Sequence, residues 1–143
     1  MAALFSFEVY TPNRIFYSDS IEAIVLTLAD GDAAVYANHV PFAAPVISCP
    51  LKIKDKNGTW KTAFTAEGIL EVTHQKTILI SNAAEWPEEI DYERAQRAKE
   101  KAQKDLEKGL LKFETETATA SLKRANMRFK VREEGLGKES RHT

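Results

Sequence analysis

One cysteine in 143 residues, Cys49, leaves no partner for an internal disulfide, so oxidative cross-links play no part in this fold and a reducing compartment is acceptable. Cys49 reads first as a small buried apolar residue and only second as a nucleophile. Long apolar runs are missing too: no stretch approaches the ~20 consecutive apolar residues that a membrane-crossing helix needs, and the chain is not expected to span a bilayer. The opening, MAALFSFEVYTPNR, has neither a basic segment leading into a long apolar one nor the Arg- and Ser-rich character of a transit peptide; that favours a cytosolic protein or an already processed form. Charge of one sign is not in excess. A net charge of -1 provides no global basic field, which argues against nonspecific nucleic-acid binding.

Enzyme signatures are equally scarce. The sequence has no GxxxxGK[ST] loop, no GxGxxG after a strand, no HExxH and no cysteine pairs for zinc. His39, His74 and His142 are far apart, and none has a neighbour at metal-ligand spacing. A Ser-His-Asp group assembled through space is not pointed to by any residue pattern. No catalytic residue, metal site or required cofactor is expected.

What is present falls into two stretches with different periods. From Phe5 to about Asn82, short β-branched and aromatic runs alternate with turn residues: FSFEVY, IEAIVLTL, AAVYA, LKIKDK, WKTAFTA, GILEVT and KTILIS. The alternation in Leu51-Lys52-Ile53-Lys54 and the KNG at 56–58 predict a hairpin. The stretch reads as a small antiparallel β-sandwich or barrel, with Phe7, Val9, Ile24, Leu26, Ile53, Phe64, Val72 and Leu79 as its core. After Trp86-Pro87, alanine, lysine and glutamate dominate. Asp91 is a good N-cap residue, and Ala95, Ala98, Ala102, Leu106 and Leu110 follow at spacings of three and four. Gly109 loosens that helix, FETETATA is a break or a second start, and Leu122, Ala125 and Phe129 mark another stripe.

The fold class is therefore β + α, an N-terminal antiparallel β-sandwich (1–84) followed by a C-terminal antiparallel two-helix hairpin (85–134), with a frayed tail (135–143). A buried alanine methyl contributes only about 0.8 kcal/mol, against ~1.5 to 3 for a fully buried leucine or phenylalanine. The hairpin is marginal by itself. It reads either as a movable element held by a ligand or partner, or as a static pair docked on the sandwich.

Several single residues admit two readings. His39, in DGDAAVYANHVPF, is a loop-tip histidine bonded to local backbone or a binding residue. Trp60 is a strand residue on one face of the sheet, and Trp86 is a hydrophobic plug at the junction. Between Ala120 and Arg132 the second helix carries Lys123, Arg124, Arg128, Lys130 and Arg132 without an acid. This is a solvated face, except that Arg124 and Arg128 share one side and could meet a phosphate or an acidic surface.

FEVYTPNRIFY near the start, DGDAAVYANHVPF, EGILEV before the last strand and IDYERA opening the first helix, in that order and spacing, make the chain resemble the ε subunit of bacterial F-type ATP synthases over nearly its whole length. The resemblance implies a noncatalytic rotor component of a proton- or sodium-driven synthase, peripheral on the cytoplasmic face of the cell membrane. Its sandwich would rest on the c-subunit ring and join the γ subunit. Its helices would extend toward the α and β subunits and restrain ATP hydrolysis, and the folded hairpin would bind ATP as a regulatory ligand without hydrolysing it. Position by position, Ile90, Asp91, Arg94 and Ala95 match the family's I/L-D-x-x-R-A motif, Glu85 an acidic position before it, and Arg124 and Arg128 the second-helix arginines. Lys101 stands where an ATP-binding member has arginine, keeping the charge without the planar fork. Asp32 and His39 match ring-facing positions, though ANHVP lacks the usual Pro-Gly before the histidine, and Glu67 stands at the first glycine of a common GGILEV. Two alternatives remain open: a structural stalk adaptor with no nucleotide site, and a stand-alone ATP sensor.

Overall fold

The computed structural model describes residues 2–109 and 111–141, for 136–141 the backbone alone. It divides into two units, Met1–Trp86 and Pro87–Thr143, close to where the composition changes; the sequence reading sets the domain boundary two residues earlier, between 84 and 85.

The first unit is built from nine strands: β1 (Phe5–Tyr10), β2 (Ile15–Leu28), β3 (Gly31–Tyr36), β4 (Phe42–Val46), β5 (Cys49–Asp55), β6 (Trp60–Thr65), β7 (Gly68–Val72), β8 (Thr77–Ser81) and β9 (Ala84–Glu85). They run β1-β8-β7-β4-β2-β5-β6-β9, with β3 on β2 and a further β1–β2 pairing that brings the order back on itself. β2 makes this possible. Its first half pairs β1, its second half pairs β3 and β5, and the register shifts between Ile21 and Ala23. Such a shift bends a strand and moves its apolar side to the other face, which is why Ala23 and Ile24 are both buried. The expected sandwich is present with its core as read: all eight core residues named from the sequence are buried. One pairing departs from the antiparallel expectation, since β1 and β8 run parallel; the whole sheet separates them in sequence, so no tight turn dictates their direction.

Two strands are hidden in the sequence for physical reasons. β4 contains Pro45, a residue that normally argues against a strand, but β4 pairs fully with β7 and meets β2 only at Leu28↔Val46, which makes it nearly an edge. β9 has two residues, too few for any period. The KNG hairpin forms as read: Asp55 Oδ1 accepts from the backbone N–H groups of Asn57 (2.9 Å) and Thr59 (3.0 Å), and Gly58 takes φ 80°. Glu67, standing where a glycine is usual, accepts from Ser48 Oγ at 2.8 Å. The next residue cannot change so freely. A Cβ on Gly68 would lie 1.9 Å from the Ile80 carbonyl oxygen, so β7 and β8 approach there only because no side chain intervenes.

Cys49 is buried, accepts from the Thr27 N–H at 3.4 Å, and has its thiol pKa pushed up by that burial. Trp60 opens β6 and is partly exposed. Trp86 packs on the sheet core through Phe16 (ring centroids 4.7 Å apart) and Tyr17.

The second unit comprises a one-turn 3-10 helix (Pro87–Glu89), α1 (Tyr92–Glu107) and α2 (Lys112–Arg141). α1 is C-capped by Lys108, followed by Gly109 at φ 63°, the left-handed position that glycine fills at helix ends. The facing stripes meet through small side chains: Ala95, Ala102, Ala118, Ala125 and Val131 are buried. Leu106, Leu122 and Phe129 are only half-buried, and Leu110 lies outside the described residues. FETETATA is thus a helix start. α2 does not stop at Glu134, where the sequence reading ends it, but continues to Arg141; residues 142 and 143, the rest of the expected tail, lie outside the described residues. Two glycines weaken helix propensity there by about 1 kcal/mol each, and tertiary packing routinely overrides that preference. No helix among the described residues is long and apolar enough to cross a membrane.

Candidate functional site

The IDYERA segment turns the chain into α1. Ile90 is buried, its N–H donating to the Pro87 carbonyl at 3.3 Å. Asp91 is extended (φ -81°, ψ 101°) and accepts through Oδ1 from the Arg94 backbone N–H at 3.1 Å, satisfying one of the unpaired donors of the first turn. Ala95 then buries its methyl against the partner helix. Asp91 therefore has a structural duty, while the Arg94 side chain is exposed.

On α1, Arg94, Ala98, Lys101 and Asp105 recur at spacings of four and three and share one flank. On α2, Thr117, Ser121, Arg124 and Arg128 do the same. The two flanks meet in their middle part, where Ala98, Lys101, Asp105, Glu114, Thr117 and Ser121 line a common groove of about 550 Å³. Arg124 donates from Nη2 to Ser121 Oγ at 3.1 Å, which sets its guanidinium at the groove's end. The level of the helices follows from the Tyr92–Phe129 ring contact (5.1 Å) on one side of Arg94 and the Ala98–Ser121 groove on the other. Arg94 is two residues from Tyr92, Arg128 is next to Phe129, and Lys101 lies about two turns further along α1.

Ile90, Asp91, Arg94 and Ala95 thus stand at the start of α1 and Arg124 and Arg128 on α2, which packs against it, with Lys101 in the groove between the helices. Glu85 belongs to the other unit, on β9 opposite Phe64. Asp105, Thr117 and Ser121 were not singled out from the sequence; their three- and four-residue spacing from Lys101 and Arg124 is the signal that reveals them. The opposite flank is distinct, with Tyr92 and Phe129 covered by Lys99 (5.4 Å) and Arg132 (5.0 Å).

The two ring-facing candidates stand at opposite ends of β3. Asp32, near its start, accepts from Thr27 Oγ1 at 2.7 Å. His39 follows its end, with Nδ1 2.7 Å from the Val40 carbonyl and the ring 5.1 Å from that of Phe42, the local backbone contact expected of a loop-tip histidine. Asn38 before it takes φ 65°, so asparagine supplies the left-handed turn that glycine usually makes.

Residues 4–87 match the family model described as ATP synthase, Delta/Epsilon chain, beta-sandwich domain, and residues 88–133 match the ATP synthase, Delta/Epsilon chain, long alpha-helix domain. The chain belongs to the ATP synthase delta/epsilon chain family. It is 46% identical over 132 residues to the ATP synthase epsilon chain of Caldicellulosiruptor bescii, covering 92% of this chain and 96% of that one. It is 43% identical to that of Caldanaerobacter subterraneus subsp. tengcongensis, covering 92% and 95%. The fold recurs in a chain of the Euglena gracilis mitochondrial ATP synthase (TM-score 0.74, 16% identity, 88% of this chain and 79% of that one). It recurs again in the Tetrahymena thermophila mitochondrial ATP synthase central stalk/c-ring structure (TM-score 0.60, 13% identity, 92% and 98%). A delta/epsilon chain is a noncatalytic subunit.

Proposed function

We propose that this chain is the coupling and regulatory subunit of the central stalk of a bacterial F-type ATP synthase, peripheral on the cytoplasmic face of the membrane. In this reading its sheet unit joins the γ subunit to the c ring. Its hairpin binds ATP without hydrolysing it and, when released, extends toward the α and β subunits to restrain hydrolysis.

The feature that supports the nucleotide reading is Arg94 in the capped first turn of α1 with Arg124 and Arg128 on the helix that packs against it. Guanidinium groups beside the positive end of a helix attract phosphates, and the carboxylate oxygens of Asp91 can accept from an adenine amino group. ATP at ten times its dissociation constant would favour the closed hairpin by about 1.4 kcal/mol, enough to tip a pair held mainly through alanines. The ring contact follows the β3 edge. A surface that includes both Asp32 and His39 must run along that strand, where Tyr36 is 60% exposed.

Isothermal titration of the full chain with ATP tests the reading. Arg94→Ala and Arg124→Ala each remove one charge-assisted contact, worth about 1.5 to 3 kcal/mol, and should weaken binding roughly ten- to hundredfold. Unchanged affinity in both variants would remove the site. The Asp91 carboxylate would then be a helix cap alone, and the chain a structural adaptor of the stalk. Copurification with γ and the c ring separates either role from a stand-alone ATP sensor.

A further inference from the structure

Gly135 lies in the last third of α2, and Pro87 opens the one-turn helix that leads into Ile90 and Asp91. The two are in close apposition. A methyl built on Gly135 would stand 2.6 Å from Pro87 Cβ and 2.8 Å from Pro87 Cγ, well inside the separation at which carbon atoms rest. Most side chains could rotate away from such an intruder, but the proline ring is closed on its own backbone and cannot. Gly135 is not there to permit an unusual turn, because its backbone is ordinary helix, where glycine is among the worst choices. What it supplies is room for α2 to settle on Pro87.

That seat has leverage over the flank that carries the arginines. Pro87 stands four residues before Asp91, and Gly135 two helical turns beyond Arg128 on the same helix. Contact between them ties the approach to α1, which carries Arg94, to α2, which carries Arg124 and Arg128. The alanine seam alone holds the helices weakly, which leaves a share of closure to this one contact.

We infer that Gly135 and Pro87 form a steric seat governing closure of the hairpin, and that they are positioning residues for the Arg94–Arg124–Arg128 flank. This rests on the reading of the hairpin as a movable nucleotide-binding pair. A side chain at 135 blocks the seat only while the ring at 87 is present, so the effect of Gly135→Ala depends on residue 87.

The test uses the full chain with spin labels on Glu93→Cys and Lys130→Cys, both exposed positions, and inter-label distances measured without nucleotide; the native Cys49 is buried and does not label. The parent should show the short distance of a closed hairpin. Gly135→Ala should raise the open population by about tenfold or more, the scale of an overpacked contact. In a Pro87→Gly background the same Gly135→Ala change should alter it by less than about twofold, because the obstructing ring is gone. If Pro87→Gly opens the hairpin by itself, the ratio between the two glycine-87 chains still reads the coupling. A closed Gly135→Ala chain, equal opening in both backgrounds, or an open parent would overturn the inference. ATP titration of the same chains is a separate readout: coupling without ATP binding keeps the seat and removes the nucleotide site.

Discussion

Asp55 shows what one carboxylate does for the sheet. Its pKa is held below the ordinary 3.8, first by the Thr59 N–H and then by the Asn57 N–H and Lys61, with partial desolvation opposing them. A carboxyl whose folded pKa is depressed contributes stability above its unfolded pKa and loses that contribution as pH falls through the folded value. Asp55→Asn keeps an acceptor for the turn but removes the charge. We expect it to lower the thermal midpoint at pH 7, and the gap from the parent to narrow as the melt is repeated toward pH 3; a gap constant with pH would contradict this. Gly68 makes the complementary point, since nothing in GILEV marks it as the place where a Cβ would strike the Ile80 carbonyl. That fact belongs to a neighbouring strand.

Among the elements, α1 separates two roles that IDYERA combines. Arg94 enters the cap through its backbone N–H, donated to Asp91, so Arg94→Ala leaves the cap intact and any loss of ATP affinity in it is a side-chain effect. Asp91→Ala removes the cap and should cost α1 about 1 kcal/mol, seen as faster amide exchange in the first turn. Equal exchange in the two variants would show that the cap is not what starts the helix. The helices themselves were legible from their spacing of three and four, as was the end of α1 near Gly109. The extent of α2 was not, because local propensity sees glycines at 135 and 137 while the Pro87 contact is made across the hairpin.

At the scale of the whole molecule, the outer face of the sheet carries an apolar row that no single segment displays. Tyr10, Ile80, Ile69 and Pro45 lie side by side on β1, β8, β7 and β4, and Ile69 and Ile80 are 57% and 58% exposed. Adjacent exposed isoleucines on paired strands suit a partner surface better than water, and in the proposed stalk that partner is γ. Ile69→Asp and Ile80→Asp should each abolish copurification with γ while leaving the thermal midpoint within a few degrees, since neither side chain is buried in the free chain. Retained γ binding in both would move the interface elsewhere. From sequence alone came the two periods, the core, the KNG hairpin, the Asp91 cap and the motifs of the family, all written in neighbours a few residues apart. The tertiary structure decided the parallel β1–β8 pairing, the double service of β2, the apolar row and the two glycine seats. Each of these depends on which distant segments lie side by side, and side-chain periodicity carries no record of that.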